Sequence, residues 1–496
     1  MNRIELARAA LVVGLVWAVS ACESLTDVNQ NPNVPTDADL SLLLPNAIRN
    51  GVEDAYGAGQ YLSHTAIWPQ HGVELQYPDE EIGNVRSDRM DIYWEDYYTG
   101  ALMDIQRVIE KGVEVEDENA EAVGMIWKAW LFHILTDYWG DVPYSEALGQ
   151  IDPETGGLNV SPAYDRQQVI YEAMLADLTT AADMLLDPGP TDFGGGDLLY
   201  GNDFEAWRRF ANSLRMRLAM RLSEVDPTTA EDEFFAAYEA GGFESNADNA
   251  TLAWPGAPYE NPLYENRVNE ARDDHGISQT LVDTLISLND PRLFYYAEPA
   301  LNDLPDIVYR GHQNGWRSLP PDMNIGDFSR IGDFWRFDGA ATPTMIMSYS
   351  EVLFLQAEAA WQTWIPGDPA ALYAEAIREN MIQYRAEGVG PTDAEIDAYL
   401  LEPAVVYDPG NGLNQIYLQK WISLYMAGPE AWFDNRRTDV PALEMGPDLL
   451  LSRIPVRMEY PADEQSYNLG NLNQALENQG MLTGVDLVTP VWWDIN

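Results

Sequence analysis

The sequence predicts an all-α fold, and two features of its apolar pattern carry this prediction. Apolar residues recur at spacings of three and four through most of the chain, as Ala122, Ile126 and Ala129 do. This spacing is that of an amphipathic α-helix. Sustained alternation of Val, Ile and Thr, the pattern typical of half-buried strands, does not occur. The 496 residues, 46% of them hydrophobic, are enough for a large core.

Helices are expected in order along the chain, separated by turn-forming segments rich in Gly, Pro, Asn and Asp. The first begins at Asp37 or Asp39, because either side chain can cap it. Segment 241–343 leaves room for only one clear helix and predicts a long loop insertion, where function is commonly found. The other predicted helices span 87–112, 118–138, 165–186, 202–224, 228–240, 278–288, 344–361, 368–387, 392–400, 413–426 and 471–479.

Segments 125–148 and 352–377 share a residue pattern that predicts paired helices. In each, a helix with small residues is followed by a turn and a second helix start, at Tyr144-Ser-Glu-Ala-Leu or Tyr373-Ala-Glu-Ala-Ile. Such pairs resemble degenerate tetratricopeptide repeats, which stack because one pair cannot bury its own apolar face. The expected architecture is a curved scaffold of tetratricopeptide-like helical pairs, with long loop insertions carrying the ligand site.

The amino terminus has the pattern of a bacterial lipoprotein signal. Arg3 and Arg8 precede an apolar run of about a dozen residues, too short to cross a membrane, which ends at Val19-Ser-Ala-Cys22. Cys22 is the one cysteine of the chain, so lipidation there leaves no thiol for a disulfide or a zinc cluster. An ordinary secretory signal is the alternative. The predicted organisation is a signal peptide over 1–21, a lipid-anchored tether over 22–39, and one domain over 40–496.

The charge balance excludes one class of partner. Removing Arg3, Arg8 and Glu5 from the 28 basic and 80 acidic residues leaves 26 and 79, a formal net charge of −53. Nucleic acid is excluded, because phosphate binding depends on Lys and Arg displacing counterions. An acidic excess with few lysines indicates adaptation to salt, which screens self-repulsion.

Several stretches follow one another in an order that resembles a known family. They are LLLPNAIR from Leu42, TDYWGDVPY from Thr136, FANSLRMRLAMR from Phe210, YSEVLFLQAEA from Tyr349, QKW from Gln419, EAW through RRT from Glu430, and VWWD from Val491. Together they are similar to the SusD/RagB family of outer-membrane nutrient-binding lipoproteins, and the match spans essentially the whole mature chain.

This resemblance implies a surface-exposed outer-membrane lipoprotein without a cofactor. Such a protein captures an oligosaccharide or a peptide and closes as a lid over a SusC-type TonB-dependent transporter. The implied fold is the same helical scaffold that the apolar spacing predicts. The family motifs are chiefly scaffold, so they indicate the fold more than the ligand.

Aromatic rings in polar, irregular stretches are the candidate ligand contacts. Sugar rings pack their C–H faces on indole and phenol rings, while their hydroxyls bond to amides, carboxylates and arginine. The candidates are Trp68, Tyr77, Trp94, Tyr98, Asn314, Trp316, Trp335 and Arg336. Four other tryptophans lie on periodic apolar faces and are assigned to the core: Trp127, Trp130, Trp361 and Trp421.

The arginines Arg208, Arg209, Arg215, Arg217 and Arg221 form a basic cluster, and Arg436 with Arg437 form a second. In so acidic a chain we expect carboxylates to neutralise them inside the protein. His64 and His71 match no metal-ligand spacing, and no metal site is predicted.

Two rival function classes stay open on sequence alone. One is an all-helical secreted glycoside hydrolase. Such an enzyme needs two suitably spaced carboxylates, and among 80 acidic residues some pair could always supply them. The other is a structural surface lipoprotein whose aromatics serve only the core. No sequence motif of nucleophilic, metal or phosphate chemistry occurs, so a non-catalytic binding protein is the prediction.

Overall fold

The structure is a computed structural model that describes residues 38–150, 157–302, 308–337 and 339–495. The predicted signal peptide, Cys22 and all but the end of the tether lie outside the described residues. The fold is helical with a few short strands, which confirms the predicted all-α class.

Seven helices form the first part of the scaffold, and acidic caps begin several of them. Asp39 accepts a hydrogen bond from the backbone N–H of Ser41, and Asp117 and Asp203 cap their helices in the same way. The helices are α1 Leu40–Tyr56, α2 Ser87–Asp96, α3 Leu102–Glu114, α4 Glu118–Trp139, α5 Gln167–Met184, α6 Phe204–Arg221 and α7 Pro227–Ala240. A π-helical turn, Tyr97–Ala101, joins α2 to α3 without a break, so one continuous helical segment covers the predicted helix over 87–112.

The rest of the chain adds short elements and a second group of helices. The short helices are α8 Pro262–Tyr264, α9 Gln279–Ser287, α10 Leu293–Tyr296 and α11 Asp333–Arg336. The later helices are α12 Tyr349–Trp361, α13 Pro369–Ile382, α14 Asp393–Tyr399, α15 Gly412–Ser423, α16 Glu430–Thr438, α17 Ala462–Tyr467 and α18 Leu469–Asn478. The prediction missed α16 and α17.

Three antiparallel strand pairs involve the loop insertion; two join it to segments outside it, and the third, β4 with β5, lies within it. The strands are β1 Gly72–Glu74, β2 Ala250–Leu252, β3 His275–Ile277, β4 Ala297–Glu298, β5 Arg330–Ile331 and β6 Thr344–Met347. They pair as β1 with β3, β2 with β6, and β4 with β5. The predicted helix over 344–361 is therefore wrong at its start: Thr344–Met347 is extended against β2, and Ser348 caps α12.

Neighbouring helices pack in sequence, α3 on α4, α4 on α5, α5 on α6 and α6 on α7, while α12 packs on α13 and α15. One apolar core lies under α1 to α7, and a second lies under the insertion and α12 to α15. The predicted second helix start at Tyr144 is wrong. Asp165 accepts hydrogen bonds from the backbone N–H groups of Tyr144 and Ser145 and holds them in a turn.

Buried ion pairs join the helices, as the acidic composition predicts. Arg217 of α6 lies 2.6 Å from Glu351 of α12, and Arg221 of α6 lies 2.6 Å from Glu430 of α16. Arg437 of α16 lies 2.6 Å from Glu358 of α12. Each pair is almost fully buried. The arginines of FANSLRMRLAMR thus contribute to the scaffold.

The core assignment of the inner tryptophans is confirmed for Trp127, Trp130 and Trp421, each at most 1% exposed. It is wrong for Trp361, which is 44% exposed. Trp361 is the last residue of α12, where the helix ends at the surface.

Candidate ligand-binding cleft

A surface cavity of about 520 Å³ lies between the chain after the first helix and the loop insertion. Pairing of β1 with β3 builds it, since Glu74 lies opposite His275 in that register. The backbone N–H of Leu75 donates to the carbonyl of Asp274, 2.6 Å away, and extends the contact. The cavity is lined by Ser63, Glu74, Gln76, Tyr77, Asp79, Glu80, Arg86, Arg89, Ala271, Arg272, Asp273 and Asp274.

Tyr77 is the aromatic ring that this cavity presents to solvent. Tyr77 is 68% exposed. Its backbone φ is 60°, a left-handed conformation uncommon outside glycine. The guanidinium of Arg272 lies 5.7 Å from the ring centroid, within cation–π range. Arg272 is itself held by Asp274, whose carboxylate is 3.0 Å from its Nε. The pair forms an open aromatic surface with a fixed donor beside it.

Charged groups around Tyr77 are mostly paired with one another. Arg86 donates to Glu80 over 2.7 Å. Below them, burial and then the neighbouring Glu81 and Glu80 raise the pKa of Glu74 well above its usual value. Burial thus disfavours the charged form of Glu74. The rim offers hydrogen-bonding groups without a large net charge.

A second cavity of about 360 Å³ adjoins the first, and Asp273 lines both. The Asp273 carboxylate is 3.1 Å from the Nε of Arg330. Phe337, which is 50% exposed, lines the second cavity, and the Arg267 guanidinium lies 5.7 Å from its ring centroid. Each cavity therefore combines an exposed ring with an arginine. We call the two cavities together the Tyr77–Phe337 cleft.

Arg336 lies at the floor of the second cavity. It is 2% exposed and donates to the side chain of Asn266 over 2.9 Å and to the carbonyl of His275 over 3.3 Å. Burial lowers the pKa of Arg336 to about 10. Of the predicted site residues, Tyr77 and Arg336 are the two that the cleft brings together.

Two more predicted residues, Asn314 and Trp316, lie outside the lining of the cleft. Asn314 is buried, donates to Glu81 over 2.5 Å and to the carbonyl of Gly72 over 2.9 Å, and so braces the β1 segment. Trp316 is half-buried, and its Nε1 donates to Gln313 over 3.1 Å. Burial raises the pKa of Glu81 to about 8, although the hydrogen bonds it accepts oppose this.

The remaining four predicted residues pack inside the protein. The rings of Trp94 and Tyr98 are inclined at 42° with centroids 4.9 Å apart, and the Tyr98 hydroxyl donates to the carbonyl of Pro143. Trp335 is 3% exposed, with its ring 5.0 Å from that of Tyr384. Trp68 is 2% exposed and borders a separate cavity. Ligand contact at these four stays a prediction.

Sequence reasoning missed most of the cleft. Phe337 and four charged residues of one insertion segment, Arg267, Arg272, Asp273 and Asp274, were not singled out. One signal was present: the segment ENRVNEARDD from Glu265 has six charged residues in ten, unusual beside the prolines and glycines around it.

Comparison with known proteins identifies the family. A profile described as SusD-like, starch-binding and associating with the outer membrane, matches residues 32–461. Within the described residues, no helix is both long and apolar enough to cross a bilayer. A search of curated proteins finds no match.

Solved structures show the same fold. A chitin-binding protein is 29% identical, with a TM-score of 0.82 over 92% of this chain and 100% of its own. A SusD-like protein from Bacteroidetes is 25% identical, with a TM-score of 0.81 over 92% and 100%. A chitin-binding SusD homologue from Flavobacterium johnsoniae is 23% identical, with a TM-score of 0.76 over 91% and 99%.

The profile covers most of the chain, and its description is of binding. The chain therefore belongs to the SusD-like family of proteins that associate with the outer membrane, and it is a non-catalytic binding protein.

Proposed function

We propose that the protein is a lipid-anchored receptor at the cell surface that captures oligosaccharides and delivers them to a SusC-type TonB-dependent transporter. The observation that carries the binding step is the exposed Tyr77 ring with Arg272 beside it, set in a cavity rimmed by paired charges. An exposed ring with fixed donors and acceptors around it suits a sugar, which has both C–H faces and hydroxyls.

The charge distribution favours a neutral glycan. Arg86 pairs with Glu80, Arg272 with Asp274, and Arg330 with Asp273, so most of the cations that line the cleft have an acidic neighbour. A polyanion would also meet the repulsion of a chain with a net charge of −52. The chitin-binding neighbour at 29% identity supports this ligand class, since chitin is a neutral polymer. A peptide is the other ligand that the sequence allows.

Anchoring and delivery rest on the sequence and the family. The lipoprotein signal ending at Cys22 supports attachment through lipids, and the family description supports the outer membrane as the location. Capture beside a transporter gains from the high local concentration that a shared membrane gives.

Binding is tested by calorimetric titration of the mature protein with chito- and malto-oligosaccharides. We expect one series to bind and Tyr77→Ala to weaken it about tenfold, the effect of losing one aromatic contact. Tyr467→Ala is the matched control, because Tyr467 is 76% exposed and lies on α17. Equal affinities of the Tyr77 variant and the wild type would contradict the assignment of the cleft.

Delivery is tested by co-purification of the tagged protein from its native outer membrane. A SusC-type barrel at near-equal amounts is the expected companion. Recovery of the protein alone, together with no glycan or peptide binding, would instead favour a structural lipoprotein.

A further inference from the structure

A third cavity, of about 340 Å³, lies away from the residues of the Tyr77–Phe337 cleft and differs from it in chemistry. It opens between α16 and the chain that follows it. Its walls are mainly apolar and include Trp68, Trp432, Leu443, Met445, Ile454 and Pro455. The Trp68 and Trp432 rings touch, with centroids 4.7 Å apart. We call this space the Trp432 cavity.

The charged groups that line the Trp432 cavity are two arginines, Arg436 and Arg453, and one carboxylate, Asp439. The lining thus has a net positive charge, in a protein with 80 acidic and 28 basic residues. Neither arginine lies within 4 Å of a carboxylate among the residues that the structure describes. Most scaffold arginines do have such a partner, as Arg217 and Arg437 do.

Arg436 satisfies two of its donors with backbone carbonyls and forms no ion pair within 4 Å among the described residues. It donates to the carbonyl oxygens of Val456 and Asp137, and it lies 4.1 Å from the ring centroid of Trp432 and 4.6 Å from that of Trp493. Burial lowers its pKa to about 10, although Asp494 and Asp137 oppose the shift. A nearby anion stabilises the charged form of such a buried cation.

Arg453 is the accessible cation of the Trp432 cavity. It is partly exposed and has no hydrogen-bond or ion-pair partner in the described part of the chain. The apolar residues beside it include Met445, 56% exposed, and Ile454, partly buried. An arginine at the edge of an apolar pocket can form two parallel hydrogen bonds to a carboxylate.

We propose that the Trp432 cavity binds a compact apolar acid, with its apolar body against Trp432, Met445 and Ile454 and its carboxylate paired with Arg453. A single negative charge fits better than a phosphate, because Asp439 lines the same space and the whole chain repels higher charge. The volume lies at the small end of the range for ligand pockets, about 300 to 1,000 Å³, and suits one or two residues of a peptide or a short acyl chain.

The first test is calorimetric titration of the mature protein with N-acetylphenylalanine and with its amide. The two probes share an apolar body and differ in charge. We expect the acid to bind at least tenfold more tightly than the amide, since a charge-assisted bidentate pair is lost in the amide. Equal affinities, or no heat from either probe at millimolar concentration, would overturn the proposal. Octanoate, titrated in parallel, identifies whether a peptide end or a fatty acid is the better source of the same chemistry.

Variants separate this site from the glycan site. Arg453→Gln is expected to reduce the affinity for the acid to that of the amide, while Arg107→Gln, an exposed arginine of α3, leaves it unchanged. Tyr77→Ala also leaves it unchanged, so the proposal stands or fails independently of the proposed function. An Arg453→Gln protein that binds the acid as tightly as the wild type would overturn the site.

Discussion

Two sets of buried carboxylates in this protein have opposite electrostatic surroundings. In the helical scaffold, burial opposes ionisation of Glu430, but Arg221 and Arg217 outweigh it and hold its pKa well below the usual value. Beneath the cleft, burial raises the pKa of Glu81 to about 8, and Glu74 is raised as well. At Glu430 the two arginines outweigh the effect of burial on the pKa, whereas at Glu81 and Glu74 the hydrogen bonds that the carboxyl groups accept do not.

The same residue types therefore have different roles in the scaffold and in the cleft. Buried arginine–glutamate pairs join α6, α12 and α16. Around Tyr77 the same residue types stay accessible and available to a ligand. Shifted pKa values away from the stabilising network are typical of functional sites.

The largest expected effect is the loss of one charge from the scaffold network. Glu430→Gln removes the carboxylate 2.6 Å from Arg221 and leaves that arginine only the more distant Asp137, 3.5 Å away. Removal of one member of a buried pair costs about 3–5 kcal/mol. Urea unfolding at neutral pH should give that decrease in the free energy of unfolding. Glu110→Gln is the matched control, because Glu110 pairs with Arg107 at the surface and such a pair contributes less than about 1 kcal/mol.

The pH dependence of this deficit sharpens the comparison. The pKa of Glu430 in the folded protein lies below its ordinary value of 4.5. Its contribution to the free energy of unfolding is therefore present above pH 4.5 and is lost as the pH falls. The deficit of Glu430→Gln should therefore shrink in acid. A deficit that stays constant from pH 7 to pH 3 would show that packing, and not charge, is what the variant loses.

The acid beneath the cleft should behave in the opposite sense. A folded pKa raised to about 8 gives stability that is present below pH 4.5 and is lost as the pH rises towards 8. Glu81→Gln removes the titrating group. Between pH 5 and pH 8, the wild type should lose about 3 kcal/mol more of its free energy of unfolding than Glu81→Gln does. Parallel pH profiles of the two proteins would mean that Glu81 ionises freely.

A smaller effect is expected at the far end of the cleft. If one oligosaccharide spans both cavities, Phe337→Ala removes a contact only from chains long enough to pass Asp273 and reach the second ring. Affinity for such chains should fall about 2- to 10-fold, while that for short chains stays the same. Titration with a series of increasing length measures this. A uniform loss at every length would contradict two separate contacts.

The scaffold was largely predictable from sequence, because its signals are local. Apolar spacing predicted α4 and α6, and Asp39 and Asp117 marked helix starts. The acidic excess indicated that the clustered arginines would be neutralised, which holds for Arg217, Arg221 and Arg437 but not for Arg436, whose partners are backbone carbonyls. Each of these depends on residues within a few turns of one another or on composition alone. The strand Thr344–Met347 was missed because its partner, β2, is nearly a hundred residues away.

The cleft was less predictable, since it depends on contacts distant in sequence. Tyr77 meets Arg272 only through the register of β1 and β3, which no local pattern specifies. Trp335 looked like a loop residue but lies in the short helix α11, packed on Tyr384. An aromatic residue in an irregular segment is therefore ambiguous until its long-range neighbours are known.

The smallest expected effect separates two tryptophans that sequence alone could not distinguish. Trp361 and Trp421 both lie on helices with apolar faces, yet Trp361 is 44% exposed and Trp421 only 1%. Trp361→Ala should lower the free energy of unfolding by less than about 1 kcal/mol, because a half-exposed ring loses little on truncation. Trp421→Ala, measured alongside by urea unfolding, should cost about 3–5 kcal/mol through the cavity it leaves. Similar losses from the two variants would place Trp361 in the core and restore the assignment that periodicity favours.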